Sequence, residues 1–192
     1  PAFFTVPVAD GDTTVQDVSL MALDLQIPYS TGFETGDDVG TSASNANFDF
    51  AVLDTMFNAD GDTILPSSGT YMLAYPDSAG VNYNNNDFVV WTADSAYDIS
   101  EYGALTLSLD AIYDTESNWD YFYVGLMLDD SSLYVSGASF VDGQRNGIIN
   151  GSQTTWTTLE VDVSWAVGMS VTATPAIIFD SDGSVNGYWG GA

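Results

Sequence analysis

Nearly every residue in this chain with chemical potential is a carboxylate. Twenty-seven Asp and Glu stand against one basic residue, Arg145, and the sequence has no Lys, His or Cys. Thiol catalysis, disulfides and soft-metal sites are excluded, as is the commonest general base and zinc ligand. Many of the acids sit in short turns beside Gly, Asn or Ser. Ala9-Asp10-Gly11-Asp12, Asn58-Ala59-Asp60-Gly61-Asp62 and Asp180-Ser181-Asp182-Gly183-Ser184 are the clearest. Short carboxylates in turns suit hard, oxygen-seeking cations such as calcium. Asp60, Asp62, Asp180 and Asp182 are therefore candidate ligands, although neither run completes an EF-hand loop and Asp is in any case a good turn former. Paired carboxylates also serve glycoside hydrolysis. Asp114, Glu116, Asp120 and Glu160 lie near aromatic residues, but nothing in their spacing sets a pair at catalytic separation, and no His or Lys is present to activate a Ser or Thr. The expectation is a non-enzyme.

Aromatic residues raise a second possibility. Sugar sites are built from ring platforms edged with Asn, Asp and Gln. Trp189, near a Gly-rich stretch, and Tyr83, within Asn82-Tyr83-Asn84-Asn85-Asn86, are the candidate glycan contacts. Trp119 and Trp156 are assigned to core or rim packing, the usual fate of aromatics in β-sandwiches.

The formal net charge of −26 bounds the partners. Nucleic acid and anionic membrane surfaces repel such a chain, and one cation cannot supply a network of ion pairs. Self-repulsion on this scale is relieved by screening salt or divalent ions, which points to an extracellular or cell-surface setting. No apolar run approaches the roughly 20 residues that span a bilayer. If the chain is secreted, Pro1 is a processed end.

The elements that position these groups read as strands. In the stretch from Asp98 to Leu128, Leu105, Leu107 and Leu109 alternate with polar residues, and Tyr121 to Leu128 repeats the period of two. The polar run Asp114-Thr115-Glu116-Ser117-Asn118 between them predicts a loop joining an antiparallel pair. Further strands are expected over 15–27, with Met21, Leu23, Leu25 and Ile27 on one side, and over 48–57, 70–75, 88–92, 133–140, 147–149, 156–163 and 169–179. No helix of useful length is predicted. Short strands punctuated by turns describe an all-β antiparallel sandwich, most simply a jelly roll, over residues 13–192. Residues 1–12 form an extended N-terminal arm whose Phe3, Phe4, Val6 and Val8 are apolar and whose Pro7 confines it to an edge.

Several ordered segments carry a family resemblance. Gly32-Phe33-Glu34-Thr35-Gly36-Asp37, Ser68-Gly69-Thr70-Tyr71-Met72-Leu73-Ala74-Tyr75, Asn118-Trp119-Asp120-Tyr121-Phe122-Tyr123-Val124 and Trp156-Thr157-Thr158-Leu159-Glu160-Val161-Asp162-Val163 are among them. Over roughly residues 30–192 the chain resembles the MAM-like jelly-roll modules that follow the catalytic domain in secreted metalloproteases of the immune inhibitor A type. The resemblance implies a structural Ca²⁺ held by Glu34 with Asp37 or Asp38. The family pattern adds a last strand of the type Tyr-Ile-Asp-Asp-Val, whereas here the sequence runs to Gly190-Gly191-Ala192. A sheet lacking that strand presents unpaired N–H and C=O groups to another strand. The candidates are residues 15–27 of the same chain or the Phe3–Val8 arm of a neighbouring copy, the latter building filaments when contacts run head to tail. The expected function is thus a calcium-stabilised extracellular structural or adhesive protein that associates with itself, with a carbohydrate-binding module as the alternative.

Overall fold

The computed structural model describes residues 31–34, 40–44, 48–78, 80–129, 133–134, 140–141, 144–145, 147–185 and 187–192. The arm residues Phe3, Phe4, Val6 and Val8, the expected strand 15–27, and Asp37 and Asp38 lie outside them. What is described is almost wholly antiparallel β-structure, with a single 3₁₀ turn at Ser164–Ala166. None of the described helices is long and apolar enough to cross a membrane.

One layer is a nine-stranded sheet. Its spine runs β1 (Gly40–Ser44), β6 (Phe88–Ala93), β15 (Thr172–Asp180), β9 (Tyr121–Leu128), β13 (Ile148–Ile149), β12 (Gln144–Arg145) and β11 (Phe140–Val141). β7 (Tyr97–Asp98) pairs with the start of β15, and β10 (Leu133–Tyr134) with the end of β9. The opposing layer holds β14 (Ser152–Asp162), β8 (Thr106–Asp114) and β16 (Gly190–Gly191). Beyond β16, Tyr75 bridges Gly191 and leads into β5 (Met72–Ala74), which pairs with β2 (Ala51–Leu53). Only a glycine lets the chain come this close. Gly190 has φ +89°, and a Cβ there would run into the Tyr75 carbonyl.

The side-chain period of two sends alternate residues into the space between layers. From the large sheet come Val89, Trp91, Phe122, Val124, Leu126 and Phe179, met by Leu73, Tyr75, Ala111, Tyr113 and Val161 from the other. On the far side of the second layer, the short hairpin β3 (Met56–Phe57) and β4 (Thr63–Ile64) covers Met72, Ala74, Ile112 and Trp189 in a smaller apolar cluster.

The expected strand pattern holds at β5, β6, β8, β9, β14 and β15, and that of β9 matches to the residue. One expectation is overturned. β8 and β9 do not pair: β8 lies between β14 and β16, while β9 lies between β15 and β13. The intervening loop carries the chain across the sandwich, because both strands have a continuous apolar face and those faces bury against each other better than side by side. Thr115 anchors the crossing. Its N–H donates to the Gly151 carbonyl (2.8 Å), and its Oγ1 accepts from the Gly151 N–H (2.9 Å).

A second connection has a pH consequence. Asp129, just after β9, accepts hydrogen bonds from the Thr172 hydroxyl and from the N–H groups of Val171 and Thr172 at the start of β15. The Thr172 hydroxyl foremost, then the Ser170 hydroxyl and these N–H groups, hold the Asp129 carboxyl below its ordinary value. A depressed folded-state value contributes stability above the unfolded Asp value of about 3.9 and loses it as pH falls further. Asp129→Asn is expected to flatten the acid limb of melting temperature against pH. The effect is small, since the group is exposed.

Candidate metal centre

The loop that crosses between layers brings two carboxylates to the end of β15. Glu116 opens a tight turn in which the N–H groups of Trp119 (3.2 Å) and Asp120 (3.0 Å) both donate to its carbonyl. Asn118, with φ +68°, takes the left-handed conformation that this turn needs and that Asn tolerates. Asp120 is thereby carried inward to 0 % exposure. β15 ends at Asp180, and Asp182 follows two residues on.

The carboxylates of Glu116, Asp120 and Asp182 offer oxygens that all lie within 4.8 Å of one another. Asp120 Oδ2 accepts the Tyr83 hydroxyl (2.6 Å), and its Oδ1 accepts the Asp182 N–H (2.8 Å). The Tyr83 oxygen in turn accepts the Glu116 N–H (3.0 Å), so one phenol ties the two halves of the site together. Glu116 Oε2 is buried and has no hydrogen-bond partner among the described residues. Burial first, then the charges of Asp120 and Asp182, push the Glu116 carboxyl above its ordinary value. Asp180 is raised as well, by burial and then by Asp120.

Such a cluster is what a divalent cation relieves. Like charges this close oppose one another's ionisation, and with Arg145 the sole basic side chain no internal cation set is at hand. Calcium takes six to eight oxygens at about 2.4 Å in a tolerant geometry, so two oxygens sharing an ion lie within about 4.8 Å of each other. Three carboxylates in that span, one with a buried oxygen that has no hydrogen-bond partner among the described residues, offer a hard cation three oxygen donors.

A second buried acid nearby works differently. Asp87, 3 % exposed, accepts the Tyr75 hydroxyl (2.6 Å) and the Asn84 N–H (3.0 Å). Both donors bond the same oxygen, Oδ2, and tie Asp87 to the core. Tyr75 and Tyr83 flank Phe179 with centroids 4.5 and 4.8 Å away, and burial first, then their Asp partners, drives both phenols well above the ordinary tyrosine value. Tyr83→Phe removes the donor to fully buried Asp120 while keeping the ring. The expected cost is about 2 kcal/mol, read as a lower denaturation midpoint at unchanged m-value.

The predicted ligands fare unequally. Asp182 enters the cluster, and Asp180 sits beside it. Glu116 and Asp120, weighed in the sequence only as possible catalytic acids, are its other members. Glu34 lies apart, where its carboxylate accepts the Thr70 N–H (2.9 and 3.2 Å to its two oxygens). Asp60 and Asp62 are exposed in a turn closed by Asn58, whose Oδ1 accepts both of their N–H groups (3.1 and 2.7 Å). The glycan candidates are corrected: Trp189 (3 % exposed) and Tyr83 (1 %) are core residues with no ring face in solvent. Trp119, assigned to packing, is 61 % exposed at the tip of the crossing loop. The signal that could have found this was the flanking Ser117 and Asn118, which mark a turn tip rather than a strand.

No protein-family model matches the chain, and no curated protein matches it.

Proposed function

We propose that this protein is an extracellular, calcium-stabilised structural or adhesive sandwich of the jelly-roll kind that associates with copies of itself. The observation that carries the calcium reading is the Glu116, Asp120 and Asp182 cluster, with its unpartnered buried oxygen. Modules that work outside the cell bind calcium with dissociation constants of about 10⁻⁴–10⁻³ M, matched to the calcium there. A chain of net charge −26 gains doubly from the ion, through cluster neutralisation and general screening. Self-association is supported by the apolar Phe3–Val8 segment and by β14, which ends its sheet among the described residues and offers an unpaired edge. A neighbour's arm adding to that edge tolerates Pro7, because an edge strand can turn a residue without an N–H toward solvent.

Electron microscopy of the purified protein with calcium tests the assembly. Ordered higher-order particles are expected from the full chain and their loss on removing residues 1–10; particles that persist unchanged without those residues defeat arm addition.

Exposed Trp119 favours one second reading, a carbohydrate-binding role. It lies on the loop that carries two of the cluster's acids, beside Asn118, whose carbonyl accepts the Tyr121 hydroxyl (2.6 Å). That reading expects polysaccharide to quench Trp fluorescence in the protein and not in Trp119→Ala.

A further inference from the structure

Asn150 and Gly151 join β13 to β14, and because those strands belong to different layers this turn is a second crossing of the sandwich. It runs beside the first. Gly151 is bonded to Thr115 through both its N–H and its carbonyl, and Ser117 lies next to it. At φ +87° Gly151 takes the left-handed conformation that reverses the chain there. The turn is at the surface: Asn150 and Gly151 are half-buried and Ser152 is exposed.

These three residues form an Asn-x-Ser triplet whose middle residue is not Pro. That is the acceptor pattern for an N-linked sugar, carried on surface turns of secreted chains. No other Asn in the sequence is followed two positions on by Ser or Thr.

Geometry gives the pattern its content. Asn150 Oδ1 accepts the N–H of Asn118 from the first crossing loop (3.0 Å). Only the oxygen end of the carboxamide can accept a donor, so this bond decides which end is which. Nδ2, the atom to which a sugar is joined, is thereby turned away from Asn118. A glycosylated amide keeps its carbonyl oxygen, so the bond to Asn118 survives attachment. The bonds that fix the turn run through the Gly151 backbone and Thr115, and a sugar on Asn150 disturbs none of them. Trp119, the residue after Asn118, is 61 % exposed. Its indole stands beside the attachment point and offers the C–H face of a first pyranose an apolar surface to lie on.

We propose that Asn150 is a modification site and carries an N-linked glycan. The proposal rests on the extracellular reading above, since such sugars are added to chains delivered outside the cytoplasm. In the transfer, Nδ2 attacks the anomeric carbon of an oligosaccharide carried on a lipid phosphate. The C–N bond forms as the anomeric C–O bond breaks, the lipid phosphate leaves with the electron pair, and the amide proton passes to a base of the transferring enzyme. The sugar is then the chain's own, held covalently, and not the free ligand of the carbohydrate-binding reading.

The test compares full-length protein from its natural source with the same chain made in a host without N-glycosylation, by intact mass and by peptide mapping after denaturation, which removes any unbound sugar. The natural protein is expected to be heavier by a whole number of sugar residues, all on the peptide that contains Asn150. Made in the natural host, Ser152→Thr is expected to keep the added mass and Ser152→Ala to lose all of it. Ser152→Ala leaves Asn150 and its bond to Asn118 in place, so a purely structural Asn150 would not respond to the hydroxyl two residues on. The added mass persisting in Ser152→Ala overturns the proposal. So does natural protein recovered outside the cell or on its surface with Asn150 unmodified, or converted to Asp without sugar, the ordinary fate of an Asn-Gly bond; in either case the extracellular reading stands. Natural protein found only inside the cell defeats that reading, and the glycan with it.

Discussion

Calcium added to chelator-treated protein is expected to raise the melting temperature by about 5–10 °C. An ion that binds the folded form alone stabilises it by mass action, about 2.7 kcal/mol at a hundredfold excess over the dissociation constant. For a domain of this size each kcal/mol is worth about 2–4 °C. The Glu116 variant separates the ion from the scaffold. In Glu116→Gln the calcium-dependent rise is expected to shrink severely, because a carboxylate ligand is gone. Its melting temperature in chelator should equal or exceed that of the unaltered protein, because a carboxyl that burial, Asp120 and Asp182 already push toward its neutral form is replaced by a neutral isostere. If the melting temperature is the same with calcium and with excess chelator, the metal centre is wrong. If Glu116→Gln keeps the full response, the ion binds elsewhere, and the exposed Asp60 and Asp62 turn becomes the first place to look.

Phe179→Ala is expected to cost about 3–5 kcal/mol, enough to lower the melting temperature by about 10 °C or more. The ring is fully buried, with centroids of Tyr75, Tyr83 and Phe122 at 4.5, 4.8 and 4.9 Å. Truncation leaves a cavity that three rings, each already committed, cannot collapse to fill. Tyr75 and Tyr83 are pinned by hydroxyl bonds to Asp87 and Asp120, and Phe122 by its place in β9. Phe179 stands three residues before Asp182 on the same strand end, so the calcium response is expected to weaken with it. Chemical denaturation with and without calcium measures both quantities. A loss below about 1 kcal/mol would mean that this aromatic cluster is not the centre of the core.

The divide between sequence and structure follows contact range. Strand existence was legible because the period of two is written locally: Tyr121 to Leu128 alternates, and β9 has those same bounds. Composition bounds the chemistry to be expected, since a chain without His, Lys or Cys and with 27 acids lacks the usual nucleophile-activating bases and soft-metal ligands. Strand partnership was not legible. Tyr113 and Phe122 belong to strands a short loop apart, yet enter the core from opposite layers rather than pairing along an edge, and nothing within the loop encodes that choice. The acids illustrate the same limit. Asp60 and Asp62 carry the more suggestive local spacing, but their turn closes on Asn58, whereas Glu116, Asp120 and Asp182 converge over 66 residues of chain.

Aromatic exposure marks the boundary most sharply. Composition set the acidity and local patterning set the all-β class, because those depend on which residues are present and on their nearest neighbours along the chain. Whether Trp189 is buried and Trp119 open, and which carboxylates converge, were decided only when the two layers packed. Burial and electrostatic coupling belong to the surroundings of a residue in space, and those surroundings are assembled from distant parts of the sequence.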